Sequence, residues 1–199
     1  MADRLTLSCW LRGYQNPVAS TLRMLEHWEK LLRLFPYSKL DKGFVTVLVR
    51  AVEENEPVLF EQAYPAPFDP ELAMAAARDF QQPDCAFQVD CCWDLMQFDR
   101  DWKLAPAKVS LWCYGPGYEN ETGDQLRIEF GPEDPFLPAR NEPISVRVAQ
   151  SNLRSLTKLV HDIEKALPVE KRMLWSESGQ NFAEKVARIL AGDSGSGLQ

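Results

Sequence analysis

From Cys85 to Leu95 apolar and polar positions alternate without a break. Phe87, Val89, Cys91, Trp93 and Leu95 fall on one side of an extended chain, and Gln88, Asp90, Cys92 and Asp94 on the other. That is the period-two pattern of a strand with one dry and one wetter face. It predicts a central strand with antiparallel neighbours. Leu5, Leu7, Cys9 and Leu11 alternate with Thr6, Ser8 and Trp10, so residues 4 to 11 read as a first strand. Residues 44 to 52 are β-branched and apolar on both sides. The polar bend Glu53-Glu54-Asn55-Glu56-Pro57 joins them to residues 58 to 64 as a hairpin. Val109, Leu111 and Cys113 alternate with Lys108, Ser110, Trp112 and Tyr114, and Leu126, Ile128 and Phe130 with Gln125, Arg127 and Glu129. These runs predict a second hairpin, closed by the long loop 115–124 with its own aromatic, Tyr118. Residues 97 to 106, with Asp99, Asp101 and Trp102, read as a loop, and Ile144 to Val148 as one more short strand. Four prolines between residues 131 and 143 predict an extended surface crossing.

The apolar period shifts to that of a helix in four places. Asn16 as N-cap and Pro17 at the first helical position open a stripe of Val18, Leu22, Leu25, Trp28, Leu32 and Phe35, stopped by Pro36. Asp69-Pro70-Glu71 opens a second helix, with Leu72, Ala76 and Phe80 on its apolar side and an alanine run suited to close packing on a sheet. Ser151-Asn152 caps a third, with Leu153, Leu156, Val160, Ile163 and Leu167. Residues 169 to 175 fit either strand or helix, and a last short helix carries Phe182, Val186, Ile189 and Leu190.

The fold class is therefore α+β, with an antiparallel-rich sheet of six or seven strands. Its first half follows the ferredoxin-like order β-α-β-β-α-β, extended by a hairpin and C-terminal helices. Residues 1–150 form the sheet domain, 151–191 a helical extension of the same domain, and 192–199 a tail of flexible-linker composition. The order carries almost no functional information.

Composition narrows the function classes. A net charge of -7 and a pI near 5.0 argue against nucleic acid or anionic membrane as partner, and no Lys/Arg run marks a basic patch. No segment approaches the ~18 apolar residues of a membrane span, and no signal-peptide core opens the chain. The five cysteines are odd in number and lack disulfide or Cys-x-x-Cys spacing. The expectation is a soluble protein of a reducing cytoplasm with free, mostly buried thiols. Cys91 and Cys92 point to opposite faces and cannot share one tetrahedral ion, so no metal or cofactor is predicted.

No catalytic constellation emerges. The two histidines, His27 and His161, lie off their helices' apolar stripes and point to water or a helix edge, so neither converges with a cysteine or serine. Asp90 and Asp94 are about 13 Å apart along one strand, too far for one strand to supply a glycosidase pair, and read as surface charges paired to Lys108 or Arg127. Gly115-Pro116-Gly117 lacks a following helix and a Lys-Ser/Thr ending, so it is a turn rather than a phosphate loop. The acidic runs at residues 53–56 and 119–134 fall in loops, where they are solvated or steer a basic partner.

What remains is the wetter sheet face, where Trp10, Trp112, Tyr114 and Arg127 interleave with Asp90 and Asp94, with Tyr118 in the adjoining loop. Large rigid aromatics beside a few charges make a recognition surface. If the C-terminal helices lie across this face, the same aromatics are core instead. The leading reading is a non-enzymatic, cytoplasmic protein-binding module of inhibitor, immunity or adaptor type, whose partner offers a basic surface. The competing reading is an enzyme or small-molecule binder with a pocket between sheet and C-terminal helices, lined by Asp90, Asp94, Tyr114 and Arg127. Homo-oligomerisation through a sheet edge or the wetter face is a third.

Overall fold

Seven strands pair into one sheet in the order β3-β2-β4-β5-β6-β1-β7, and each of the six pairings is antiparallel. They are β1 (Arg4–Leu11), β2 (Phe44–Ala51), β3 (Phe60–Pro65), β4 (Cys85–Asp99), β5 (Asp101–Tyr114), β6 (Leu126–Pro132) and β7 (Val169–Ser176). Four helices join them: α1 (Pro17–Leu34), α2 (Pro70–Asp79), α3 (Pro143–Ala166) and α4 (Phe182–Leu190). The computed structural model describes residues 3–14, 17–138 and 143–190. The predicted cap Asn16, the side chains of Val18, Ile189 and Leu190, and the tail lie outside the described residues.

The α+β class and the β-α-β-β-α-β order through β4 are as expected. The sheet assembles those strands differently from a ferredoxin-like unit. β1 sits between β6 and β7, separated from β4 by β5 and β6. The chain after β4 thus inserts two strands into the middle of the sheet rather than extending it at one edge.

All four helices contribute to a core on one face of the sheet, built from the odd-numbered side chains of β1, β2, β4 and β5 and the even-numbered ones of β6. Val47, Val49, Phe87, Val89, Cys91, Trp93, Leu111, Cys113 and Ile128 meet Met24, Trp28, Leu31 and Leu32 of α1, Ala73, Ala76 and Ala77 of α2, Leu156 and Ile163 of α3, and Phe182 of α4. Asp69 caps α2 by accepting from the Glu71 N–H at 3.0 Å. The small side chains of α2 let it lie close to both α1 and β2.

Several elements depart from the sequence reading. The α1 stripe runs through Met24 and Leu31, not Leu22, which is exposed. Rotating the stripe by that amount brings His27 inside, so His27 is buried rather than facing water. On α2, Leu72 is exposed and Met74 is buried in its place. Residues 144–148 are the opening turns of α3, not a strand, because Pro143 with its fixed φ starts the helix there. Residues 97–106 are not a loop: they continue β4 and β5 as a two-stranded ribbon turning at Arg100, whose φ is 66°.

Asn152 consequently lies inside α3 rather than capping it, and it performs a different task. Beyond Asp90 β4 leaves β2; Tyr37 bridges it at Trp93, and past that point the Met96 peptide needs another source of hydrogen bonds. The Asn152 side chain accepts from the Met96 N–H at 2.8 Å and donates to the Met96 carbonyl at 3.0 Å and the Pro135 carbonyl at 2.9 Å. Asn152→Ala leaves these groups without that partner and should cost about 2 kcal/mol. Thermal unfolding should then show a midpoint lower by roughly 6 °C.

Candidate binding face

Register places the even-numbered side chains of β1, β2, β4 and β5 and the odd-numbered ones of β6 and β7 in rows across the helix-free face. Thr46, Asp90, Ser110, Glu129, Thr6 and Trp175 form one row over six strands. Leu48, Gln88, Trp112, Arg127, Ser8 and Met173 form the next, and Arg50, Ala86 and Tyr114 begin a third. The C-terminal helices lie on the opposite face, so they do not roof the aromatics.

The loop 115–124 covers them instead. Tyr118 lies 5.5 Å from Tyr114, which stacks on Trp112 at 5.6 Å, and all three are buried. The Arg127 guanidinium sits 5.0 Å from the Tyr114 ring centroid and donates to Asp124 (2.9 and 3.1 Å) and the Thr122 hydroxyl (2.8 Å). Trp10, half-buried, donates from Nε1 to the Thr122 carbonyl at 3.3 Å. Of the predicted site residues, the structure therefore brings together Trp10, Trp112, Tyr114, Tyr118 and Arg127. It uses them to hold a loop down, which corrects their assignment as an open docking surface.

The loop can lie this low because of Gly115. A Cβ there would be 2.3 Å from the Pro83 carbonyl oxygen and 2.6 Å from that of Cys85. Its N–H donates to Cys85 O and the Gly117 N–H to Pro83 O, each at 2.8 Å.

Asp90 and Asp94 are not joined to Arg127 or Lys108. Asp90 accepts from Gln88 Nε2 at 2.8 Å and Ser110 Oγ at 2.6 Å, near the middle of the face. Asp94 accepts from the Ser38 hydroxyl and from the Lys39 N–H at 2.8 Å, and serves the turn after α1. Glu129 lies across Ser110 from Asp90, and burial pushes its carboxyl above the usual 4.5. Arg127, 4.0 Å away, opposes that rise, while Glu54 and Asp90 add to it. Cys92 is half-buried, and burial together with Asp41 pushes its thiol up to about 11, which leaves it un-ionised at neutral pH.

The two acidic runs turn out to be neighbours. The Glu119 N–H donates to the Val52 carbonyl at 2.8 Å, and Glu53 and Glu119 form a bridge. Glu53, Glu54, Glu56, Glu119 and Glu121 thereby gather at one end of the face, with Arg50 held by Gln88 and the Glu54 carbonyl. Glu133 does not belong to this set: it is buried and bonded to Ser176 and Lys185. At the other end the β4–β5 ribbon projects, with Phe98 against Trp102 at 5.3 Å and Leu104 opposite Met96. Sequence reasoning passed over Phe98 and Leu104.

A groove of about 620 Å³ opens between α3, β7 and α4 on the helical side. Leu153, Leu156, Val160, Leu174 and Phe182 line it, with His161 and Arg172 at its rim. None of Asp90, Asp94, Tyr114 or Arg127 reaches it, which corrects the pocket lining expected from sequence. The buried His27 instead meets the Tyr14 hydroxyl through Nδ1 at 3.0 Å. Among the described residues no group of three His, Cys, Asp or Glu is arranged to hold a metal, and no helix is long and apolar enough to cross a membrane. No protein-family model matches the chain, and no curated protein or solved structure is significantly similar to it.

Two measurements follow from this geometry. Gly115→Ala should destabilise by about 3 kcal/mol, since the new methyl meets backbone that cannot move aside, and denaturant unfolding would read it. For Glu129 the folded state holds the proton more tightly than the unfolded state, so its contribution falls as pH rises above 4.5. Glu129→Gln should therefore melt above the wild type at pH 7, with the gap closing as the pH drops below 4.5.

Proposed function

We propose that the chain is a protein-binding module that engages a basic partner through the acidic end of its helix-free sheet face. The observation that carries this reading is the juxtaposition of two acidic segments, 53–56 and 119–121, by the Val52–Glu119 hydrogen bond. Five carboxylates on adjoining turns repel one another, a standing cost that a cationic partner surface would relieve on contact. The adjoining rows of the face add orienting hydrogen-bond groups, among them Asp90, Ser110 and the half-buried Glu129. Carboxylates flanked by orienting hydrogen-bond groups suit recognition of a cationic surface, the task of an inhibitor, immunity protein or adaptor. A cytoplasmic setting fits the five free thiols.

The groove between α3, β7 and α4 supports a second reading, in which a small apolar ligand with a polar head sits with its tail on Leu156 and Phe182. Native purification at about 50 mM salt should recover a stoichiometric basic partner, released as salt rises to roughly 300 mM and screening tightens. Reversal of Glu53, Glu54 and Glu56 to lysine should lose it. A chain that purifies alone, yet is stabilised by a small amphiphile in a thermal-shift screen, would transfer the function to the groove.

A further inference from the structure

We infer that the β4–β5 ribbon is a dimerisation arm, and that its occupant is a second copy of this chain. The β2 register ends at Asp90, Tyr37 bridges β4 at Trp93, and the β5–β6 register begins only at Ser110, so residues 96–104 project as a two-stranded ribbon. A two-stranded ribbon is marginal in water on its own, and this one is held at its foot by Asn152. Its even-numbered side carries Phe98, Trp102 and Leu104, exposed by 36%, 47% and 49%, while Phe44, exposed by 69%, flanks its foot on the same face.

These four side chains leave on the order of 350 Å² of apolar surface in water, given ~150–250 Å² for a large aromatic. On a single chain the largest apolar patch has about this size and is often the functional one. The patch is under half of the ~800 Å² per partner of a standard interface, so the contact it supports is a weak one that dissociates on dilution.

Charge selects the partner. The ribbon's charged residues are Asp99, Arg100, Asp101 and Lys103, two of each sign. Lys103 is paired to Asp99 at 3.4 Å, which leaves Arg100 and Asp101 as groups that two copies can exchange across a twofold axis. The acidic end, by contrast, carries five carboxylates and repels its own copy. A net charge of -7 discourages self-contact elsewhere, and the neutral apolar ribbon is where two such chains can meet. The inference is independent of the basic-partner reading, because it uses the opposite end of the face.

Sedimentation velocity on the full chain tests it. The wild type should sediment as a dimer at ~100 μM and dissociate on dilution, as a modest interface dictates. Trp102→Glu, and separately Leu104→Glu, should be monomeric at every concentration with unchanged circular dichroism. Lysine reversal of Glu53 and Glu54 should leave the dimer intact. A wild type that stays monomeric at ~100 μM overturns the inference, because a dimer needing more protein falls short of a specific interface. A dimer that survives both ribbon substitutions also overturns it, since the contact would then lie elsewhere.

Discussion

One-sided burial is the constraint from which the rest of this structure follows. Every central strand presents an apolar row to the same side of the sheet, and all four helices are drawn to that side by the area it removes from water. Trp28, Phe87, Phe130, Phe136 and Phe182 are each almost wholly buried there. With the helices committed, the opposite face has no secondary-structure layer to cover it among the described residues. It must remain wet, be satisfied by its own hydrogen bonds, or be covered by loops. All three solutions are present: Asp90 with Gln88 and Ser110, Trp175 with Ser8 at 3.1 Å, and the 115–124 loop over Trp112 and Tyr114.

The loop shows how a second, smaller cluster forms without a helix. Aromatic stacking supplies the apolar part, and the Arg127–Asp124–Thr122 group supplies the polar part. Asp124 has no exposed side chain, and its charge is met by Arg127, which donates to both carboxylate oxygens, and by the Thr122 hydroxyl. Trp112 Nε1 and Tyr118 Oη are buried without a hydrogen-bond partner among the described residues, so the packing of their rings has to outweigh that cost.

Where the apolar period was unbroken, as in β4 and β1, strand and face were legible from the residues. The sheet order was not. It depends on which strand edges meet, and side-chain alternation carries no information about edges. Residues 96–104 were passed over although Met96, Phe98, Trp102 and Leu104 are themselves alternate positions. They keep the period but reverse its parity relative to Trp93 and Leu95, and an apolar row on the wet side reads as a broken pattern. Ile144 to Val148 misled in the opposite way, since Ile144, Val146 and Val148 alternate by chance at the start of a helix. His27 was misplaced because Leu22 was counted in the α1 stripe, and it lies roughly 120° from the centre of the buried set.

The candidate site was legible in its residue types and not in their grouping. Acidic runs some 65 residues apart become one feature only because loop 115–124 is low enough to bond to Val52, and that depends on Gly115 having no side chain. The same packing that gathers the carboxylates buries the aromatics expected to lie beside them. Apolar grip and negative charge are thereby driven to opposite ends of one face, with β4 running the whole distance between them at ~3.3 Å per residue. The two ends of the face thus differ in chemistry, and neither contains the groups that define the other.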